Sequence, residues 1–388
     1  MTEVKRMAID IETFSSNDIK TGGVYKYVEA DDFCITLFAY KIDDQTSGLV
    51  DLTCDELPDD VWQLLIDPKV CKTAYNANFE RTCLAKHFKR EFPPEQWSCT
   101  AVLAAKCGLP GSLKDVALAL NFNQEEQKID GWRLINYFCI PCKPTKVNGG
   151  RTRNLPEHDP EKWELFKEYC LRDVEVEVAV RKKLEWQYKE VSAEYDLWNL
   201  DQKINDKGIL IDETFVENAI ALYETHVDKL SNEMIQITGI KNPDSLGQLK
   251  DWFLKAEGIQ IKSLTKQTIP ELIATAPSDR AKKVLEMRQQ LSKTSVKKYR
   301  AMQSAICRDG SVKGTLQFYG ANRTGRWAGR NIQIHNLPQN KMDDLDYARE
   351  LIVKKDFEKF DMVFDDVSDI LSQLVRTALV PRKKHFLV

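Results

Sequence analysis

The stretch Met7-Ala-Ile-Asp-Ile-Glu-Thr-Phe14 decides the fold. It is apolar and broken only by two acids two positions apart. Successive side chains of a β-strand leave opposite faces, so Asp10 and Glu12 leave the same one. Downstream, 33–42 and 47–53 also read as strands, 56–66 as a helix and 70–75 (VCKTAY) as a further strand. Asn78 predicts the cap of a helix running to about His87. Thr100 starts another that stops at Gly108-Leu109-Pro110, and Ser112 caps the next. Residues 139–158, rich in Pro, Gly, Lys and Arg, read as a long loop. Asp159-Pro160-Glu161 then opens a helix reaching about Lys189, with a capping Asp, Pro in the first turn and an acidic start. Strands first and helices after predict an α/β domain with a mixed sheet.

Composition sets limits on the rest. The chain has 388 residues, 43% of them hydrophobic, which suits about two to three domains with buried cores and excludes a disordered chain. No apolar run reaches the roughly 18–20 residues that span a bilayer, so no membrane partner is expected. The start reads as an opening strand and has no signal-peptide core, which predicts a cytoplasmic protein. Ten irregularly spaced cysteines fit reduced thiols better than a disulfide scaffold, and the pair Cys139/Cys142 has no second pair at zinc spacing. Net charge is −3, but residues 281–388 carry 21 Lys and Arg against 12 Asp and Glu, while 1–280 carry 35 against 47. A basic final third fits a polyanion partner; a solvated lysine-rich surface fits the charge count equally well.

Three acidic features stand out. Asp10 and Glu12 on one strand face repel and desolvate each other, a penalty that a hard divalent cation such as Mg²⁺ or Mn²⁺ removes. The polar edge of a half-exposed strand is the plainer alternative. Glu80 sits in a first helical turn after Tyr75-Asn-Ala-Asn-Phe79, where the helix dipole also favours an ordinary acid. Tyr169 and Asp173, four apart on a helix, share a face with Phe166 and Val176. Taken singly, each feature leaves both readings open.

Taken in order, Asp10-Ile-Glu12, Asn76-Ala-Asn-Phe-Glu80 and Tyr169-Cys-Leu-Arg-Asp173 resemble the three exonuclease motifs of the DEDD proofreading superfamily, tyrosine subtype. The resemblance implies an RNase-H-like domain in which Asp10, Glu12, Glu80 and Asp173 hold two metal ions, Mg²⁺ or Mn²⁺. It implies that Tyr169 orients the attacking water and that Thr13, Asn76 and Phe79 meet the terminal nucleotide. Position 80 departs from the family pattern, which has aspartate there: the charge survives and its reach lengthens. No histidine lies in 165–173, so a histidine base from this helix is excluded.

The remaining chain is similar to family A DNA polymerases (the DNA polymerase I group), phage-type members in particular. Trp198-Asn-Leu-Asp-Gln-Lys-Ile-Asn-Asp-Lys-Gly-Ile-Leu-Ile-Asp212 resembles that family's entry into the thumb. Asn242-Pro-Asp-Ser-Leu-Gly-Gln-Leu249 and Arg288-Gln-Gln-Leu-Ser-Lys293 through Tyr299 resemble thumb helices. Arg323-Thr-Gly-Arg326, with Asn331 and Asn336-Leu-Pro338, resembles the segment before the palm's catalytic strand. The division implied is 1–190 exonuclease, 191–306 thumb and 307–388 the start of a palm. Arg323, Arg326 and Arg330 among glycines suit close phosphate contact, and Lys293, Lys297 and Lys298 a weaker electrostatic track. The expected partners are DNA, as a single-stranded 3′ end and a primer–template duplex, and a carboxy-terminal polypeptide. That last expectation arises because Lys384-His-Phe-Leu-Val388 looks like the beginning of the catalytic strand, with no counterpart of the polymerase aspartates. Asp361, Asp365, Asp366 and Asp369 precede that point and read as helix surface. The implied activity is 3′→5′ removal of nucleotides in DNA replication, in the bacterial host cytoplasm if the chain is phage-encoded. A non-catalytic DNA-binding half-polymerase and an RNA-trimming exonuclease are the alternatives.

Overall fold

Strand β1 (Arg6–Phe14) lies at the centre of a five-stranded sheet with β2 (Cys34–Ile42), β3 (Gly48–Asp51), β4 (Cys71–Ala74) and β5 (Trp97–Cys99), in the order β3-β2-β1-β4-β5. It runs antiparallel to β2 and parallel to β4, so the sheet is mixed. The computed structural model describes residues 5–122, 131–187, 192–292, 296–321 and 323–383. Lys293 and the terminal segment 384–388, both singled out in the sequence, lie outside the described residues.

The alternation of β1 sorts its residues between two layers. Met7, Ile9 and Ile11 pack with Phe38, with Val61 and Leu65 of α2 (Asp59–Ile66), and with Cys83 and Leu84 of α3 (Ala77–His87). Ala8 packs on the opposite face with Leu37 and Ala39, under Phe138 of α6 (Trp132–Phe138) and Trp163, Phe166 and Cys170 of α7 (Pro160–Gln187). Asp10 and Glu12 continue the Ala8 face. They therefore point toward α7 from a central strand, not from a polar sheet edge.

Local sequence explains where the helices begin. Asp159 caps α7 by accepting from the Lys162 amide at 3.2 Å, with Pro160 as the first helical residue. Ser112 caps α5 (Leu113–Ala119) by accepting from the Asp115 amide, and α4 (Thr100–Lys106) starts at Thr100. At α3 the capping expectation is corrected. The N-cap position is Asn76, and the Asn78 amide instead donates to Tyr25 Oη (3.1 Å) and Gln202 Oε1 (2.8 Å). Two partners reached through the fold outcompete a local cap.

By packing the chain divides into two compact units, 1–208 with 307–335 and 209–306 with 336–388. Residues 192–208 and 307–335 thus belong to the unit of the sheet, apart from 209–306 and 336–388. Helix α8 (Ser192–Lys207) contributes Trp198 to the sheet core, and Phe318 joins it from the hairpin of β8 (Leu316–Ala321) and β9 (Arg326–Gly329). Strands β6 (Ile209–Ile211) and β7 (Ser311–Val312) precede this hairpin. The second unit is mainly helical and is built on α9 (Glu213–Thr238), capped by Asp212 and ended by Gly239 in the left-handed conformation (φ 70°). Its core joins Leu230 and Met234 to Leu249 and Phe253 of α10 (Leu246–Glu257) and to Val284 and Leu285 of α12 (Asp279–Leu291). Asp361, Asp365 and Asp369 are exposed in this unit, and Asp366 caps the helix Val367–Leu374.

One buried acid fastens the hairpin to α8. Asp201, 2% exposed, accepts from Trp327 Nε1 (2.7 Å), Gln202 Nε2 (3.1 Å) and Asn205 Nδ2 (3.1 Å). Burial pushes its carboxyl up to about 6 against these donors. An acid raised above its unfolded value of about 3.9 binds more protons folded than unfolded. Its stabilising contribution is complete below about pH 4 and is lost as pH rises through about 6. Asp201→Asn lacks this titration. Its urea midpoint is therefore expected to gain on the wild type between about pH 4 and pH 7, whereas a constant difference would show that Asp201 titrates as an ordinary acid.

Candidate functional site

The site forms where β1, the first turn of α3 and the middle of α7 converge. From β1, Glu12 is 8% exposed and Asp10 half-buried. From α7, Tyr169 and Asp173 are buried at 2% and 4%. The Tyr169 ring is fixed in a file of aromatics: it stacks on Phe166 (centroids 6.0 Å apart), which stacks on Phe138 (5.4 Å). Trp163 in the same file donates from Nε1 to Asp51 Oδ2 at 2.7 Å. Rotation of Tyr169 would break this packing, so its hydroxyl is held among the carboxylates. It donates to Asp173, and the charges of Asp173, Glu12 and Asp10 all act on it. Burial, followed by those charges, drives its pKa far above that of free tyrosine. Burial and these charges favour the protonated hydroxyl, which donates its hydrogen bond to Asp173.

Glu80 enters from α3, where its carboxylate lies near the positive end of the helix. It is 5% exposed, and its Oε2 is buried without a hydrogen-bond partner. Burial pushes its pKa well up, and Asp10 is the strongest of the neighbouring charges that add to this, with Glu177 and Glu12 behind it. Thiols stand beside two of the acids. Cys170 Sγ lies 3.6 Å from Asp10 Oδ2, and Cys139 Sγ lies 3.6 Å from Glu12 Oε2. One ligand atom from each of Asp10, Glu12 and Cys170 falls within 4.8 Å of the others. Acidic groups gathered side by side, with an orphaned carboxylate oxygen among them, offer the donor set of a divalent cation.

The structure thus brings together Asp10, Glu12, Glu80, Tyr169 and Asp173. Thr13, at the end of β1, is buried and shares a hydrogen bond of 2.8 Å with Tyr27 Oη. Phe79 packs on Tyr27 with centroids 6.3 Å apart, and Asn76 is exposed at the start of α3. Arg323, Arg326 and Arg330 are exposed on and beside the hairpin of the same unit. Lys297 is exposed on the helix Val296–Ala305 of the second unit.

Sequence reading missed several residues of the site. Glu177, 2% exposed, lies one turn beyond Asp173, accepts from Thr100 Oγ1 and stands 3.7 Å from Arg181 Nε. The run Tyr169, Asp173, Glu177, Arg181 at spacing four was a usable signal for it. Gly131, the N-cap of α6, lies so close to Tyr169 that a Cβ there would sit 2.2 Å from the ring. No sequence pattern announces that contact.

No protein-family model matches the sequence. Over 379 residues the chain is 52% identical to a DNA polymerase of Bacillus phage SP02, a match covering 97% of this chain and 58% of that protein. Over this span the chain is homologous to a phage DNA polymerase. It covers less than two thirds of that relative's length. Among solved structures, the POL domain of Pol1 from M. smegmatis, in complex with DNA primer-template and dNTP, superposes with a TM-score of 0.53 at 13% identity. That likeness covers 87% of this chain and 53% of the other, and it is one of fold. Among the described residues of the polymerase homologue, no helix is long and apolar enough to cross a membrane.

Two substitutions test the geometry. Glu80→Gln removes a buried carboxyl whose charged form burial and Asp10 oppose, so in EDTA at neutral pH it is expected to melt higher than the wild type, by roughly 2–4 °C for each kcal/mol relieved. An unchanged or lower midpoint would contradict the burial of charge at this position. Gly131→Ala drives a methyl group into the Tyr169 ring and is expected to lower the melting temperature; an unaltered midpoint would show that the contact yields freely.

Proposed function

We propose that residues 1–190 form an RNase-H-like 3′→5′ DNA exonuclease, the proofreading part of a phage-type family A DNA polymerase used in replication. The observation that carries this reading is the meeting of Asp10, Glu12 and Glu80 from separate elements around the Tyr169–Asp173 pair. Residues 191–306 are proposed as the thumb and 307–388 as the start of the palm. DNA synthesis, the activity named for the SP02 relative, is proposed for the whole polymerase, of which this chain matches 58% of the relative's length.

The donor set fits hard divalent cations: carboxylate oxygens dominate it, and the orphaned Glu80 Oε2 marks a place where a positive charge is wanted. Asp10, Glu12, Glu80 and Asp173 would hold two ions, Mg²⁺ or Mn²⁺. Such a pair lowers the pKa of a water and stabilises the charge that builds on phosphodiester oxygens. The remaining work belongs to the chain itself. Tyr169, protonated and locked by Phe166, directs its hydroxyl at the reacting region and orients a water by hydrogen bonding. The buried surroundings exclude bulk solvent and strengthen each of these interactions. Exposed Arg323, Arg326 and Arg330, with Lys297 and Lys293, are proposed to contact phosphates of the DNA.

Degradation of a 5′-labelled single-stranded DNA tests the proposal. Wild type with Mg²⁺ or Mn²⁺ is expected to shorten the strand from its 3′ end, and Asp10→Ala to lose roughly 100-fold or more of that rate. An intact strand with both metals would overturn the nuclease and leave a DNA-binding scaffold. Faster removal from RNA than from DNA would point to an RNA-trimming enzyme.

A further inference from the structure

The nuclease reading uses the oxygens of the site and leaves two sulfurs unexplained. Cys170 is fully buried on α7 between Tyr169 and Asp173, with Sγ 3.6 Å from Asp10 Oδ2. Cys139, 8% exposed, ends α6 with Sγ 3.6 Å from Glu12 Oε2. The ligand atoms of Asp10, Glu12 and Cys170 already lie within 4.8 Å of one another. A tetrahedral ion with metal–sulfur bonds of about 2.3 Å and metal–oxygen bonds of about 2.1 Å needs ligand separations of roughly 3.4–3.6 Å. A contraction of up to about 1.4 Å takes one arrangement to the other. Glu80, whose Oε2 is buried without a hydrogen-bond partner, feels the Asp10 charge most strongly of its neighbours.

Donor chemistry then selects the ion. Mg²⁺ takes oxygen and disfavours sulfur, whereas Zn²⁺ and Cd²⁺ bind thiolate tightly. We propose that Asp10, Glu12 and Cys170 form a mixed oxygen–sulfur site that captures a thiophilic divalent cation, with Cys139 as a second sulfur beside it. On capture, the Cys170 S–H bond breaks, its proton passes to solvent and an Sγ–metal bond forms, with no change of oxidation state. The inference rests on the nuclease reading to the extent that both use Asp10 and Glu12. It adds that Zn²⁺ or Cd²⁺ competes with Mg²⁺ for this pocket through a residue the carboxylate scheme does not use.

The test is a titration of the full chain with Cd²⁺, followed by thiolate-to-cadmium charge-transfer absorption, with Mn²⁺ binding measured in parallel by electron paramagnetic resonance. Wild type is expected to develop a charge-transfer band that excess Mn²⁺ displaces. Cys170→Ala is expected to lose that displaceable band, or to need on the order of tenfold more Cd²⁺ for it, while still binding Mn²⁺. Cys170→Ser, closer in size, guards against a folding defect and is expected to behave the same way. Exposed Cys54 contributes a background that Mn²⁺ leaves unchanged. If both variants titrate like wild type while Mn²⁺ binds all three, Cys170 is no ligand and the inference is overturned. If Mn²⁺ fails to bind even the wild type, the carboxylate reading falls as well.

Discussion

Like charges held close together inside the protein are the constraint from which the rest of this unit follows. An ionised carboxylate taken from water costs several kcal/mol unless something compensates it. Here Asp10, Glu12, Glu80 and Asp173 come from three different elements into one buried neighbourhood. Their protein partners include thiols against Asp10 and Glu12 and a tyrosine hydroxyl on Asp173. Glu80 retains an oxygen with no partner. Such an arrangement weakens the fold on its own, a cost that the proposed cations would relieve. The three-layer packing supplies the stiffness that holds it, with β1 central in the sheet and α7 pressed against it through Phe166 and Cys170.

The same unit carries the exposed arginines. The Asp201–Trp327 bond and the paired bonds between Asn205 and Leu316 tie the β8–β9 hairpin to α8, and Trp198 and Phe318 tie both to the sheet. Arg323 and Arg326 are therefore mounted on the body that holds the carboxylates, although about 150 residues separate them in sequence from Asp173.

Much of the first unit was legible in the sequence, for physical reasons that differ by residue. Asp10 and Glu12 were readable because strand periodicity is strict: two acids at spacing two must share a face. Tyr169 and Asp173 were readable from helical spacing, and Ser112 and Asp159 from local capping chemistry. What escaped depends on contacts across the fold. Asn78 looked like a cap because nothing local reveals Tyr25 and Gln202 waiting for its amide. Nothing local marks Gly131, yet its lack of a side chain is what leaves room for the Tyr169 ring. The sulfurs of Cys139 and Cys170 meet acids 127 and 160 positions away. The packing of 192–208 and 307–335 with the sheet was hidden for the same reason: Trp198 and Phe318 show their shared core only when the chain is folded.

Anomalous diffraction from crystals of the full chain grown with Mn²⁺ tests the central claim most directly. The account predicts manganese peaks enclosed by the carboxylates of Asp10, Glu12, Glu80 and Asp173, with the Tyr169 hydroxyl facing them. Ordered manganese found only elsewhere, with Glu80 still buried and uncoordinated, would contradict it.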